Sequence, residues 1–262
     1  MFQPLHTGGS GLIGQQRSID TIGNNLSNLS TTGYKKVRLD FQDLLYTRMF
    51  NWDDNGPHMN LQRGAGIREY QTARVMTQGA AQVTERTLDF MLEGAGFFAV
   101  ENPTPMDEDG LDETLYTRVG SFYISAEEVP YLIDGQGRYI LDADGERIAV
   151  TDPANLAADS EGNLFYTSGD GQTTHVARLG LYDFVNPGGL ADVGDGYFVQ
   201  TANSGEISEA ACTVRQGVIE ASNVDMSEEM VRLIRSQRAY QLAARCVSTA
   251  DQMMQIANSI KS

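Results

Sequence analysis

Cysteine and histidine are nearly missing from this 262-residue chain, which holds only Cys212, Cys246, His6, His58 and His175. No HExxH, no paired-cysteine spacing and no second histidine at helical distance occurs, so zinc has little to bind and no metal or other cofactor is expected. Two cysteines do not make a disulfide framework, and each reads as a small buried hydrophobe. Long apolar runs are also lacking: "FMLEGAGFFAV" at 90–100 is broken by Glu93 and three small residues, short of the roughly 18 apolar residues a membrane span needs. The opening "MFQPLHTGGSGLIGQQ" has neither the basic n-region nor the apolar h-region of a secretory signal peptide. Basic residues are few, 19 Lys and Arg against 35 Asp and Glu, and the formal charge of −16 opposes attraction to nucleic acid or to an anionic membrane surface. The deficit is deepest from Glu101 to Asp159, where fourteen carboxylates face only Arg118, Arg138 and Arg147. These absences alone describe a cytosolic protein with enough apolar residues to bury a core.

Catalytic signatures are equally sparse. "DADGE" at 142–146 and "DEDG" at 107–110 resemble pieces of a calcium loop, but the twelfth position falls on Pro153 or Arg118, where a bidentate Glu is required. Both read instead as hairpin turns. Ser121 in "VGSFY" lacks the nucleophile elbow, and "GAGFF" at 94–98 begins a strand and opens no helix, so it is not a dinucleotide loop. The surviving enzyme hypothesis is a carboxylate pair acting on a glycan, and the simpler reading of so many carboxylates is a solvated face.

What the sequence does contain is two seams. Leu5, Leu12, Ile19 and Leu26 recur every seven residues, with Ile22 and Leu29 between them, which predicts an amphipathic helix over 5–29. Met226, Leu233, Tyr240, Val247 and Met254 repeat the spacing, with Met230 and Ala244 as companions, and predict a second helix over about 226–260. Asp225, three residues before Glu228, supplies a start like a capping box. Between Leu5 and Leu29 only Arg17 and Asp20 are charged, so the first helix expects protein on more than one side. Gly8, Gly9, Gly11, Gly14 and Gly23 each cost that helix about 1 kcal/mol relative to alanine. Alone it frays; packed among helices, its glycines permit close backbone approach, with the second helix and further copies of the chain as the natural partners.

Between the helices come short apolar or alternating runs, "GFFAV", "SFYIS", "RYILD", "RIAV", "LFYTS", "VARLGLYDFV" and "GYFVQ", separated by "DGQG", "ADG", "SEGN" and "SGDGQ". Asp-Gly and glycine-rich turns supply the positive φ of hairpins, which predicts antiparallel β. The expected fold class is α+β: paired N- and C-terminal helices forming a coiled-coil-like domain (1–46 with 216–262), an extended connector (47–71) and a central β-rich domain (72–215).

Two stretches then become familiar. "GLIGQQRSIDTIGNNLSNLSTTGYKK" (11–36) resembles the N-terminal signature of bacterial flagellar rod and hook proteins, an Asn-Asn-Leu-x-Asn stretch followed by Thr-x-Gly-Tyr-Lys. "RQGVIEASNVDMSEEMVRLIRSQRAYQLAARCVSTADQMMQ" (215–255) resembles the closing signature of the same family, and "TQGAAQVTERTLDFMLEGAGFF", "YTRVGSF", "FVNPGGL" and "GYFVQTANSG" are similar to its rod-type members. "DFQDLLY" at 40–46 and the long connector resemble the distal-rod branch, with another axial component, a proximal rod or hook-like protein, as the alternative. Glycines in "TGGSGLIGQQ" stand where relatives commonly carry alanine, and Cys246 is unusual in the last helix.

The resemblance implies a non-catalytic subunit whose end helices form the inner layer of a helical tube, with a β domain outside. The partners it implies are further copies of the chain, proximal rod and hook proteins, and the flagellar type III export apparatus, with no nucleic acid and no membrane insertion. A basal-body location, reached without a cleaved signal, follows from the same resemblance. It makes the two seams an assembly interface, joined by Gln237 and Arg238 of the Gln-Arg-Ala-Tyr motif and by Asn24, Asn25 and Asn28 as hydrogen-bonding candidates between copies. Phe41, Leu44 and Leu45 fit the Phe-x-x-x-apolar element that the export gate of this family reads.

Overall fold

Alternation sets the middle of the chain. Along the strand Phe97–Glu101, successive side chains turn to opposite faces of a sheet, and residues 97 to 100 are all buried, so both faces are covered. A computed structural model describes residues 3–48, 62–102, 114–167 and 173–261. These residues form two helices and many antiparallel strands, an α+β chain. By contacts the chain divides into a helical unit (1–27, 37–74 and 225–262) and a β unit (28–36 and 75–224).

The β unit centres on a six-stranded antiparallel sheet in the order Ala191–Gly194, Tyr197–Val199, Thr114–Thr117, Phe97–Glu101, Leu181–Phe184, Ile207–Glu209. On one face Phe98, Val100 and Leu115 join Phe90, Phe122, Leu132, Ile140, Ile148 and Leu164 in the main core. On the other, Phe97, Tyr116, Phe184 and Phe198 form an aromatic cluster, with Phe97 edge-on to Phe184 and Phe198 at 5.8 and 5.7 Å. A three-stranded sheet, Leu156–Ala158, Asn163–Thr167 and Thr173–Arg178, contributes Leu156, Leu164 and Ala177 to the main core. Two outer pairs, Thr213–Gln216 with Phe90–Glu93 and Val218–Glu220 with Ala81–Val83, bring the end of the unit back to its beginning.

The turns follow the expected chemistry. In "DGQG" the carboxylate of Asp134 accepts from the amides of Gln136 (2.8 Å) and Arg138 (2.9 Å), and Gly137 takes φ +82°. "DADGE" is likewise a turn, with Gly145 at φ +79° and its amide donating to Asp142 O at 3.0 Å. "SGDGQ" and "DEDG" lie outside the described residues.

In the helical unit, α1 (Gln3–Ser27) and α2 (Met226–Lys261) pack on each other, and a ribbon of Val37–Asp43 against Ile67–Arg74 packs on α1. Asp225 caps α2 by accepting from the amides of Ser227 (2.7 Å) and Glu228 (3.2 Å), and Glu228 and Glu229 suit the positive end of the helix dipole. The helix expected over 5–29 stops at Ser27, leaving Asn28 and Leu29 in a turn. There the Thr31 amide and hydroxyl bond to the backbone and side-chain oxygens of Asn28 at 3.2 and 3.1 Å, a local alternative that competes with helix. Of the stretch read as a connector, 47–48 pairs with 62–63, 67–71 lies in the ribbon, and 49–61 lies outside the described residues.

Candidate functional site

α1 and α2 run antiparallel, since successively later residues of α1 meet earlier residues of α2. A Cβ at Gly8 would stand 2.8 Å from Val247 Cγ2, Ser18 Oγ lies 3.2 Å from Ser236 Oγ, and Asn25 reaches Glu229. Leu5, Leu12, Ile19 and Leu26 are half-buried and Ile22 is buried; on α2, Leu233, Ala244, Val247 and Met254 are half-buried. Met226, Met230, Gln237, Arg238 and Tyr240, with Asn24 on α1, are exposed. The covered face of α2 also holds a track the apolar pattern misses: Glu229, Ser236, Ala243, Ala250 and Ala257 recur every seven residues and none is exposed. Its signal was the period of small residues, which permit close helix approach but add little hydrophobicity.

The end of this pair where α1 finishes and α2 begins is polar. Asn25 is 1 % exposed, and its amide group copies a strand: Oδ1 accepts from the Val37 amide at 2.9 Å while Nδ2 donates to Val37 O at 2.8 Å and to Glu229 Oε2 at 3.3 Å. Glu229 is fully buried, with Arg232 3.5 Å away. A groove beside them is lined by Ser18, Thr21, Arg38, Arg232 and Arg235. Asn28, by contrast, serves the turn after α1.

Within the β unit the two familiar stretches meet. Lys35 and Glu220, 1 % and 2 % exposed, pair at 2.6 Å. Lys35 Nζ also donates to Thr77 O at 2.9 Å, and Glu220 Oε1 accepts from the Gly79 amide at 2.7 Å. Arg118 lies 3.6 Å from the other Glu220 oxygen and donates to Gly94 O at 2.8 Å. Burial pushes the Lys35 amine down from its ordinary value, with Glu220 opposing that shift. Gly33 sits at φ +69°, where a Cβ would come within 3.0 Å of Val119, and its amide donates to Glu220 O at 2.8 Å. Asn223 completes the junction: Oδ1 accepts from the Lys36 amide at 2.7 Å, and Nδ2 donates to Val75 O at 2.7 Å and Thr77 O at 3.0 Å. Sequence reading missed Lys35, Glu220 and Asn223 because partners 185 residues apart, as Lys35 and Glu220 are, leave no local pattern.

Phe41 lies on the ribbon at a register shift between Asp40 and Phe41, packed where a Cβ on Gly14 would touch its ring at 3.1 Å. Leu44 is half-buried and Leu45 is 90 % exposed. Cys212 is half-buried, and burial pushes its thiol up; Cys246, expected as a small buried hydrophobe, is exposed, because it lies on α2 outside the covered face. Among the described residues no group of three or more His, Cys, Asp or Glu is placed to hold a metal, and no helix is long and apolar enough to cross a membrane.

A family model described as "Flagella basal body rod protein" matches residues 5–35, and another, "Flagellar basal body rod FlgEFG protein C-terminal", matches 215–260. The flagellar basal-body rod protein FlgG of Borreliella burgdorferi is 34% identical over 100% of this chain and 99% of its own length. That of Caulobacter vibrioides is 34% identical over the whole of both chains, and that of Buchnera aphidicola (subsp. Acyrthosiphon pisum) 33% identical over 97% of this chain and 98% of its own. The matched stretches hold the residues just described, Asn25 and Lys35 in the first and Glu220, Asn223 and Glu229 in the second. The likeness runs from end to end, through both terminal helices and the β unit between them, and the chain belongs to the flagellar basal-body rod protein family.

Proposed function

We propose that the chain is a structural, non-catalytic subunit of the flagellar distal rod, the shaft that carries torque from motor to hook. The observation that carries this reading is the full-length likeness to FlgG rod proteins. On this reading α1 and α2 pair in coiled-coil fashion and join those of other copies in a helical tube, which also forms part of the export channel. The β unit lies outside the tube. Support comes from the apolar side chains α2 leaves exposed, Val231, Ile234, Leu242, Met253, Ile256 and Ile260. Three glycines of α1, Gly9, Gly11 and Gly23, have open space where a Cβ would stand, room for close approach by a neighbouring helix.

Leu5, Leu12, Ile19, Ile22, Leu26, Leu233, Val247 and Met254 hold the pair, while Asn24, Met226, Met230, Gln237, Arg238 and Tyr240 face neighbouring copies. The axial partners are proximal rod and hook proteins. The chain leaves through the type III export apparatus without a cleaved signal, Phe41, Leu44 and Leu45 being read while it is unfolded, and resides in the periplasm-spanning rod. Intact-mass spectrometry of purified hook-basal bodies tests this. The uncleaved chain is expected there in many copies, and its absence from bodies that contain the other rod components sinks the assignment.

A further inference from the structure

The chain passes between its two units four times, after residues 27, 36, 74 and 224. Each unit gathers the ends of these passages with one buried or half-buried asparagine. In the helical unit, Asn25 precedes the first passage by two residues and holds both peptide groups of Val37, the first residue after the second. It also donates to Glu229, in the first turn after the fourth, while Val37 lies opposite Arg74, the last residue before the third. In the β unit, Asn223 precedes the fourth passage, accepts from Lys36, the last residue before the second, and donates to Val75, the first residue after the third. The Val75 amide in turn donates to Lys36 O at 2.9 Å, and the Asn223 amide to Tyr34 O at 3.3 Å.

The chemistry is the same on both sides. A carboxamide is planar and carries one acceptor and two donors, so it can bind the N–H and C=O of a strand as another strand would, and can reach a second strand as well. A single peptide passage twists freely about φ and ψ and transmits little torque. Passages tied side by side twist only by breaking the bonds between them.

We propose that Asn25 and Asn223 are load-transfer residues, each clamping the ends of several chain passages so that twist enters and leaves a unit through a bundle. This rests on the rod reading, since only a torque-bearing subunit needs such a clamp. The test is made in cells whose rod chain carries Asn25→Ala, Asn223→Ala or both, by counting copies in hook-basal bodies and following beads on the hook at low and high drag. The expected result is parental copy number and low-drag speed, with the double variant losing rotation or shedding filaments several-fold more often at high drag. Asn223→Asp, which keeps the acceptor for Lys36 and loses the donor to Val75, is expected to fall between parent and Asn223→Ala. Full-copy rods that carry high drag like the parent overturn the proposal. Failure of every variant to enter the rod also overturns it, because the residues then serve assembly.

Purified chain gives a readout independent of the rod. The Lys36 amide in Asn223→Ala and the Val37 amide in Asn25→Ala are expected to exchange about tenfold faster, with Phe98 unchanged. Unchanged exchange at both overturns the clamp, whereas absence of the unsubstituted chain from basal bodies brings down the rod reading on which it rests.

Discussion

The β unit carries 25 Asp and Glu against 8 Lys and Arg, whereas the helical unit carries 10 against 11, so the whole charge excess lies in one of them. Burial divides the same way. Both hydrophobic clusters belong to the β unit, and Ile22 is the one buried hydrophobic side chain among the described residues of the helical unit. The two properties are complementary. A unit that has completed its core can carry a large charge, which keeps copies apart in solution; a unit whose apolar residues lack cover cannot carry much without forbidding the contacts that would cover them. On the rod proposal, the adhesive capacity of the chain is concentrated in the nearly neutral half.

If the β unit is self-sufficient, a cavity in its core should cost far more than any single change in the helical unit. Phe98 is fully buried, edge-on to Phe122 at 5.2 Å, and Phe98→Ala is expected to lower stability by about 4 kcal/mol, read from the urea midpoint of near-ultraviolet circular dichroism. A loss below about 1 kcal/mol would remove the contrast between the units. Glu220→Leu is expected to follow at about 3 kcal/mol, because it removes the carboxylate from the buried Lys35 amine, from Arg118 and from the Gly79 amide, and Lys35→Met with Glu220→Leu should recover the part owed to Lys35. The pH dependence has a definite sign. Burial already holds the Lys35 amine below its ordinary value, and removing Glu220 removes the charge that opposes that depression. The unfolded state then binds more protons than the folded one, so stability of Glu220→Leu should rise as pH approaches about 10. A flat or falling profile would show that Lys35 is not held in a low-dielectric site.

Much of this division can be read from residues alone. The strands announce themselves in "GFFAV" and "GYFVQ" because a doubly covered sheet selects continuous apolar runs, and the helices in leucine and methionine spaced by seven. The ribbon at 37–43 also has a signal, Val37, Leu39 and Phe41 alternating with Arg38, Asp40 and Gln42, but the run is short and follows the basic cluster of Lys35, Lys36 and Arg38, which looks like a linker. The polar junctions are different in kind. Lys35 with Glu220, and Asn25 with Glu229, are joined only by the closure of long loops, and a polar side chain buried against a partner far along the chain has the composition of a surface residue.

Within α1 the glycines offer a finer comparison. At Gly23 a Cβ would meet nothing within 4 Å, so Gly23→Ala should gain helix stability by up to about 1 kcal/mol. At Gly8 the Cβ would meet Val247, whose branched side chain has little freedom to turn away, and the gain should be cancelled or reversed. Thermal melts followed at 222 nm would distinguish them; equal gains would mean that α2 does not hold α1 closely in the free chain.

The smallest effect tests whether the charge excess is felt by the fold. Arg215 and Glu93 form an ion pair at 2.6 Å on the β unit, with side chains 49% and 42% exposed, and a pair so exposed contributes under about 0.5 kcal/mol. Arg215→Gln and Glu93→Gln remove the same pair but move the net charge of the unit in opposite directions, one deepening an excess of −17 and the other relieving it. Arg215→Gln should therefore cost more than Glu93→Gln at low ionic strength, and the gap should close in about 1 M salt, where the Debye length falls to about 3 Å. Equal costs at low salt would mean that the carboxylates are far enough apart to ignore one another. The charge would then bear on contacts between molecules and leave the stability of each one alone.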